Sequence, residues 1–119
     1  ASTIVMKYMQ KYGFKVYPVN PRAKGQKILG EKVFEKITDI KDPIDIVDVF
    51  RPSKEVLDIA KDTIQIGAKV LWLQLGIKNE EAKKIVEKNK IEYVEDKCTK
   101  MEYQKHFLKI RQAFPVLQN

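Results

Sequence analysis

The chain has 119 residues, 44% hydrophobic and 33% charged, with a formal charge of +7. That length holds one domain with a core and little room for a second, and no run approaches the roughly 18 apolar residues of a membrane span. No signal peptide is recognisable, and the single cysteine, Cys98, excludes an internal disulfide framework and fits a reducing, cytoplasmic compartment.

The charge is unevenly placed. Residues 97–119 carry Lys97, Lys100, Lys105, Lys109 and Arg111 against one acid, Glu102, so +4 of the +7 sits on a C-terminal segment. Nucleic-acid proteins more often interleave basic residues with stacking aromatics or show a recognisable module, so composition argues against that partner. The segment reads either as a solvated basic helix face or as a patch attracting an anionic ligand or partner.

Taken in order, the elements alternate. Val5, Tyr8, Met9 and Tyr12 recur at helical spacing, and Gly13 is placed to end that helix. Phe14–Asn20 reads as a strand, with Pro18 marking an edge position or a bulge. Gly25 and Gly30 punctuate a loop, a short helix is expected over 35–40, and Asp42-Pro43 breaks it. Residues 44–50 form the next strand. Ser53 is the expected N-cap of a helix whose stripe runs Val56, Ile59, Ala60, Ile64 to Gly67, with Glu55 in its first turn. Residues 70–75 are almost wholly apolar, as in a strand covered on both faces. Asn79 caps the helix that follows, residues 91–95 form a fourth strand, and 99–112 a last helix. Strands separated by helices mean βαβ units and a mostly parallel sheet flanked by helices, an α/β fold.

In such sheets ligands bind outside the carboxyl ends of the strands. The residues entering the strands are ordinary turn chemistry. Those leaving them are Asn20-Pro21-Arg22, Phe50-Arg51-Pro52, Gln74-Leu75-Gly76 and Asp96-Lys97-Cys98, each with a donor, a cation, a glycine or a thiol. A dinucleotide site that holds a ribose diol has an acid near the end of its second strand, and an arginine there accommodates a ribose phosphate instead. Here the acid is absent while Arg22 and Lys24 are present, which favours a ligand with an extra ribose phosphate over a plain solvated arginine. Arg51 precedes a helix start, where amides bind anions. Phe50 either packs on a ligand or belongs to the core. Gly76 permits close approach or is simply a turn residue, and Gln74 offers both donor and acceptor. Asp48, inside an apolar strand, demands a partner, and a structural hydrogen bond is favoured over catalysis. His106 is read as a surface residue, and Cys98 as an idle thiol or one activated by a helix start. One histidine gives neither a His-based metal site nor a catalytic triad, so no metal is expected. No G-x-G-x-x-G is present.

The phrases "VYPVNPRAKGQKILGEKVF", "DIVDVFRPSKEV", "AKVLWLQLGIKNEEA" and "DKCTKME" together resemble the small bacterial and archaeal proteins of the Rossmann-like CoA-binding domain family. That domain is similar to the CoA-binding portion of the succinyl-CoA synthetase α subunit. The resemblance implies a single three-layer Rossmann-like domain over 1–119, with 99–119 as a basic C-terminal helix or tail. It implies coenzyme A or an acyl-CoA across the strand exits. Asn20, Pro21, Arg22 and Lys24 would face the adenosine and its ribose phosphate, with Phe50, Arg51 and Pro52 lining the nucleotide. Gln74 and Gly76 would lie nearer the pantetheine. Separately, because Cys98 follows a strand on this edge, a thiol near the ligand that forms a mixed disulfide with CoA on oxidation is a further expectation. The family opens with a strand and a Gly-Ala-Ser turn before its first helix, whereas this sequence begins at that helix, so roughly 20 further residues are expected upstream. The expected function is CoA binding without chemistry. Alternatives are a relic or partner of an acyl-CoA synthetase, and a basic nucleic-acid module acting through 97–119. A second copy of the chain or an acyl-CoA enzyme are the compatible protein partners.

Overall fold

The computed structural model describes residues 2–107. Helix α1 (Ser2–Lys11) comes first, followed by an extended stretch and a two-stranded antiparallel hairpin, β1 (Lys27–Ile28) with β2 (Glu31–Lys32). A 3-10 turn at Ile37–Asp39 stands where a short helix was expected. The remaining elements alternate: β3 (Ile46–Val49), α2 (Val56–Ile66), β4 (Val70–Leu73), α3 (Glu80–Lys88), β5 (Glu92–Val94) and α4 (Thr99–Phe107). The last three strands form one parallel sheet in sequential order. Lys109, Arg111 and the expected helical residues 108–112 lie outside the described residues.

The core lies on one face of this sheet. Val47 and Val49 of β3 and Leu71 and Leu73 of β4 alternate inward to meet Val56 and Ala60 of α2 and Ala82 and Val86 of α3. Leu71, Leu73, Val56 and Val86 have no solvent exposure, and each such burial stabilises the fold by about 1.5–3 kcal/mol. Asp48, Trp72 and Gln74 alternate to the opposite face. Thr99, the first residue of α4, bonds Asp48 there, and α1 packs on α4 through Tyr8, Tyr12, Phe14 and Tyr103. The result is helix, sheet and helix in three layers, an α/β Rossmann-like arrangement. β4 is fully buried on the α2–α3 face only; Val70 and Trp72 on the other face are half-buried, against the expectation of two fully covered faces.

The expected strand over Phe14–Asn20 does not enter the sheet. One parallel bridge, Val19 to Phe34, and two backbone bonds of 2.9 Å, from Asn20 N–H to Phe34 C=O and from Phe34 N–H to Pro18 C=O, tie it to the chain beyond β2. Strand propensity is realised only beside a ladder that satisfies the backbone. Among the described residues β3 pairs with β4 alone, and Pro18 has no N–H to donate.

Local signals at the helix ends fared unevenly. Asn79 caps α3, its Oδ1 accepting the Ala82 N–H at 2.9 Å, and Gly67 ends α2 in the left-handed region at φ 71°. Ser53 does not cap α2. It opens a 3-10 turn (Ser53–Glu55), and its Oγ accepts the Lys78 N–H at 3.1 Å.

Candidate functional site

The carboxyl ends of β3, β4 and β5 converge on one corner held by side chains from all three exits. Gln74 Nε2 donates to Asp48 Oδ1 and, at 3.1 Å, to Thr99 Oγ1, while the Thr99 hydroxyl donates to Asp48 Oδ2 at 3.0 Å. Asp48 therefore has the structural partners its position demanded. Burial pushes its carboxyl above the usual carboxylate range, and the bonds from Gln74 and Thr99 pull it part-way back. Gln74 is 4% exposed with its amide engaged in this cluster, so it braces the corner from beneath.

The loop leaving β5 is pinned to the end of β4. The Gly76 N–H donates to Asp96 Oδ1 at 2.7 Å, the Trp72 indole to Lys97 C=O at 2.7 Å, and the Lys97 N–H to Leu73 C=O at 3.2 Å. Cys98, a free and half-buried thiol, sits between two residues so anchored. Gly76 adopts φ 80° with open space where a Cβ would stand, so its glycine serves the turn. Leu75 beside it is 59% exposed, and Phe50 at the end of β3 is 36% exposed. Leu75 is an apolar contact surface that sequence reasoning passed over, because it continues the hydrophobic run of β4.

Arg51 donates from Nε and a terminal nitrogen to Glu55 Oε1, at 3.1 and 2.9 Å. The cation expected to strengthen the anion field of the α2 start is thus matched by a carboxylate at that same start. Pro52 is exposed before the 3-10 turn, and Ser53 joins this exit to the next, its C=O accepting from Asn79 Nδ2 at 2.9 Å.

The first exit is a separate unit. Asn20 Oδ1 accepts the Arg22 N–H at 3.0 Å, and the Ala23 N–H returns to Asn20 C=O at 3.0 Å, a local Asx turn around exposed Pro21. Lys24 pairs with Glu35 at 3.2 Å, while Arg22 is exposed and has no carboxylate partner among the described residues. No hydrogen bond or ion pair among those residues joins this turn to the other exits. The opposite strand ends hold a cavity of about 340 Å³ lined by Ile64, Gly67, Ala68, Lys69, Asn89, Lys90 and Ile91. It lies where α2 and α3 turn into the following strands, and its glycine and left-handed Lys90 are the chemistry of those turns. Among the described residues no three His, Cys, Asp or Glu side chains converge as for a metal, and no helix is long and apolar enough to cross a membrane.

Residues 1–104 match the family model described as a CoA binding domain. The chain belongs to that family. It is 36% identical over 100 residues to Bacillus subtilis uncharacterized protein YneT, covering 84% of this chain and 73% of that one. The solved structure of cell-free ID.343 from Thermus thermophilus superposes with a TM-score of 0.84 at 35% identity, over 87% of this chain and 78% of the other. A dinucleotide-forming acetyl-coenzyme A synthetase 1 from Ca. Korarchaeum cryptofilum matches with a TM-score of 0.60 at 25% identity, over 75% of this chain but 21% of that enzyme. The fold and family expectations are therefore met.

Proposed function

We propose that this CoA-binding-domain chain binds coenzyme A or an acyl-CoA along the carboxyl edge of its sheet, without chemistry of its own. The observation that carries the reading is the Asn20–Arg22 turn, which presents a guanidinium with no carboxylate partner among the described residues, within a chain whose family is a CoA binding domain. Arg22, with Lys24 able to exchange its exposed Glu35 partner for a phosphate, faces the ribose phosphate. Phe50 and Leu75 supply apolar contact, Pro21 and Pro52 stiffen the two approaches, and Gly76 keeps the third exit low. No catalysis is assigned: Asp48 is committed to Gln74 and Thr99, and His106 lies beside Glu102 on the exposed face of α4. Cys98 stands at the same edge, and thiol–disulfide exchange with added CoA disulfide, in which the Cys98 thiolate displaces one CoA thiol, would leave a reducible CoA adduct that non-reducing intact mass tests.

Calorimetric titration in reductant tests this with CoA and 3′-dephospho-CoA. Arg22→Gln is expected to weaken CoA binding about three- to tenfold and leave dephospho-CoA unchanged, the size of one exposed charge-assisted contact. A folded protein that binds neither nucleotide overturns the reading. The synthetase match favours a second reading, a CoA-binding partner of an acyl-CoA enzyme. It predicts acyl-CoA turnover only when a separate chain is added.

A further inference from the structure

Residues 74–79 carry the chain from β4 to α3 and present Leu75, 59% exposed, at the edge where the strands end. The Ile77 N–H returns to Gln74 C=O at 3.0 Å around left-handed Gly76, a tight turn that sets the shape of the segment but not where it stands. Its place is set by side chains of the neighbouring strand arms. The Gly76 N–H donates to Asp96 Oδ1 at 2.7 Å, the Lys78 N–H to Ser53 Oγ at 3.1 Å, and the Asn79 N–H to the Tyr93 hydroxyl at 3.1 Å. Asn79 is the junction. Its Oδ1 caps α3 through the Ala82 N–H at 2.9 Å, and its Nδ2 donates to Ser53 C=O at 2.9 Å. Tyr93 completes the strut from β5. Its ring packs against the core cluster, and its single proton is offered to Glu95 Oε1 at 2.8 Å and Asn79 C=O at 3.2 Å. A ring fixed by packing fixes the hydroxyl at its tip. Burial, with Glu95 beside it, pushes the phenol up to about 12, so it stays protonated at neutral pH and keeps both its donor and its acceptor role.

We propose that Tyr93 is a positioning residue for the apolar arm of the ligand, acting through Asn79 and Ser53 to hold Leu75 beside the β3 exit; the assignment rests on the CoA reading above. β3 and β4 run parallel with Val49 opposite Leu73, and the Gln74 N–H reaches Val49 C=O at 3.1 Å. Phe50 and Leu75 therefore leave the ladder from adjacent strand ends, about 4.8 Å apart. Beyond that point Ser53 joins the two exits, through Lys78 and Asn79. The α3 helix does not need the Tyr93 hydroxyl, because its cap comes from the Asn79 side chain and its core face from Ala82 and Val86. What the hydroxyl adds is a fixed position for the residue that ends the Leu75 segment. The Asn20–Arg22 turn shares no hydrogen bond with this strut among the described residues, so Tyr93 acts on the pantetheine half of CoA and not on its ribose phosphate.

The test titrates CoA and adenosine 3′,5′-bisphosphate, which keeps the 3′-phosphate and lacks the pantetheine arm, into the full chain, Tyr93→Phe, Leu75→Ala and the double variant. Phenylalanine keeps the ring in the core and removes only the hydroxyl. Tyr93→Phe is expected to weaken CoA about three- to tenfold, the worth of one hydrogen bond, and to leave the bisphosphate unchanged. In the Leu75→Ala background it is expected to have no further effect on CoA, since a residue acting through Leu75 then has nothing left to place. A merely structural hydroxyl would weaken both ligands alike or add its loss to that of Leu75→Ala. Either result, or no loss at all, overturns the proposal and leaves the CoA reading standing, as does a wild type that binds the bisphosphate as tightly as CoA. If the wild type binds neither ligand, the CoA reading fails and this assignment falls with it.

Discussion

Between Asp45 and Val94 the chain satisfies its backbone through ladders and helices and buries ten apolar side chains in one cluster. Between Phe14 and Lys36 it fully buries one, Val33, and is held by turns, a short hairpin, one isolated bridge and exposed ion pairs. The first region supplies the packed core, and the second supplies the loop in which Arg22 has no carboxylate partner among the described residues. The division is physically economical, because cations near a ligand must stay solvated until the ligand arrives, whereas the groups positioning a strand exit work best when desolvated. At the exits the two styles meet: Arg51 already has Glu55 and Gly76 already has Asp96, whereas Arg22 has no carboxylate partner among the described residues.

The largest effect that tests this contrast is a cavity on each side. Leu71→Ala, in the fully buried layer under α2 and α3, is expected to cost about 2–5 kcal/mol in urea unfolding. Val33→Ala removes less volume from a thinner layer and is expected to cost about 1.5 kcal/mol, with amide exchange rising chiefly over residues 18–34. Equal costs and a global rise in exchange for both variants would erase the distinction between the regions.

Much of the packed region was legible because its signals are local. The Val47, Val49 and Leu71, Leu73 alternation, the Asn79 cap and the Gly67 stop each need only a few neighbouring residues. The exit corner was legible only in outline. Asp48 inside an apolar strand announced a partner, but Gln74 lies 26 positions away and Thr99 51, so the sequence showed the demand and not its answer. The hairpin was read as a loop because Leu29 is a poor residue for a left-handed turn, and no Asn-Gly marked it. Phe14–Asn20 misled in the other direction, since its apolar run has strand propensity and no ladder among the described residues to join.

The next effect is electrostatic. Asp48→Ala strips the Gln74 amide and the Thr99 hydroxyl of their acceptor and is expected to cost about 1–3 kcal/mol. Asp48→Asn keeps the shape and removes the buried charge, so it is expected to match or exceed the wild type at neutral pH. The sign follows from the raised carboxyl. Its contribution favours the fold fully below the ordinary 3.8 and is lost as pH rises through the higher folded value. The advantage of Asn over Asp therefore grows as pH climbs from 3.8. Urea midpoints across that range would refute the buried-charge account if the gap stayed constant or shrank with rising pH.

The smallest stability effect belongs to Arg51 and Glu55, and there the contrast between the regions is sharpest. Both side chains are more than a third exposed, and a pair spaced four residues apart on such a surface contributes about 0.5 kcal/mol or less. Neither Arg51→Ala nor Glu55→Gln is expected to move the melting temperature by more than a few degrees. Their effects on CoA affinity should have opposite signs. Arg51→Ala leaves a bare carboxylate at the start of α2 and repels phosphate, whereas Glu55→Gln frees the guanidinium to meet it, so affinity should fall in one and rise in the other by about threefold. If both variants leave affinity untouched while Arg22→Gln lowers it, the phosphates are held by the hairpin side alone, and the packed region contributes only the shape of the edge.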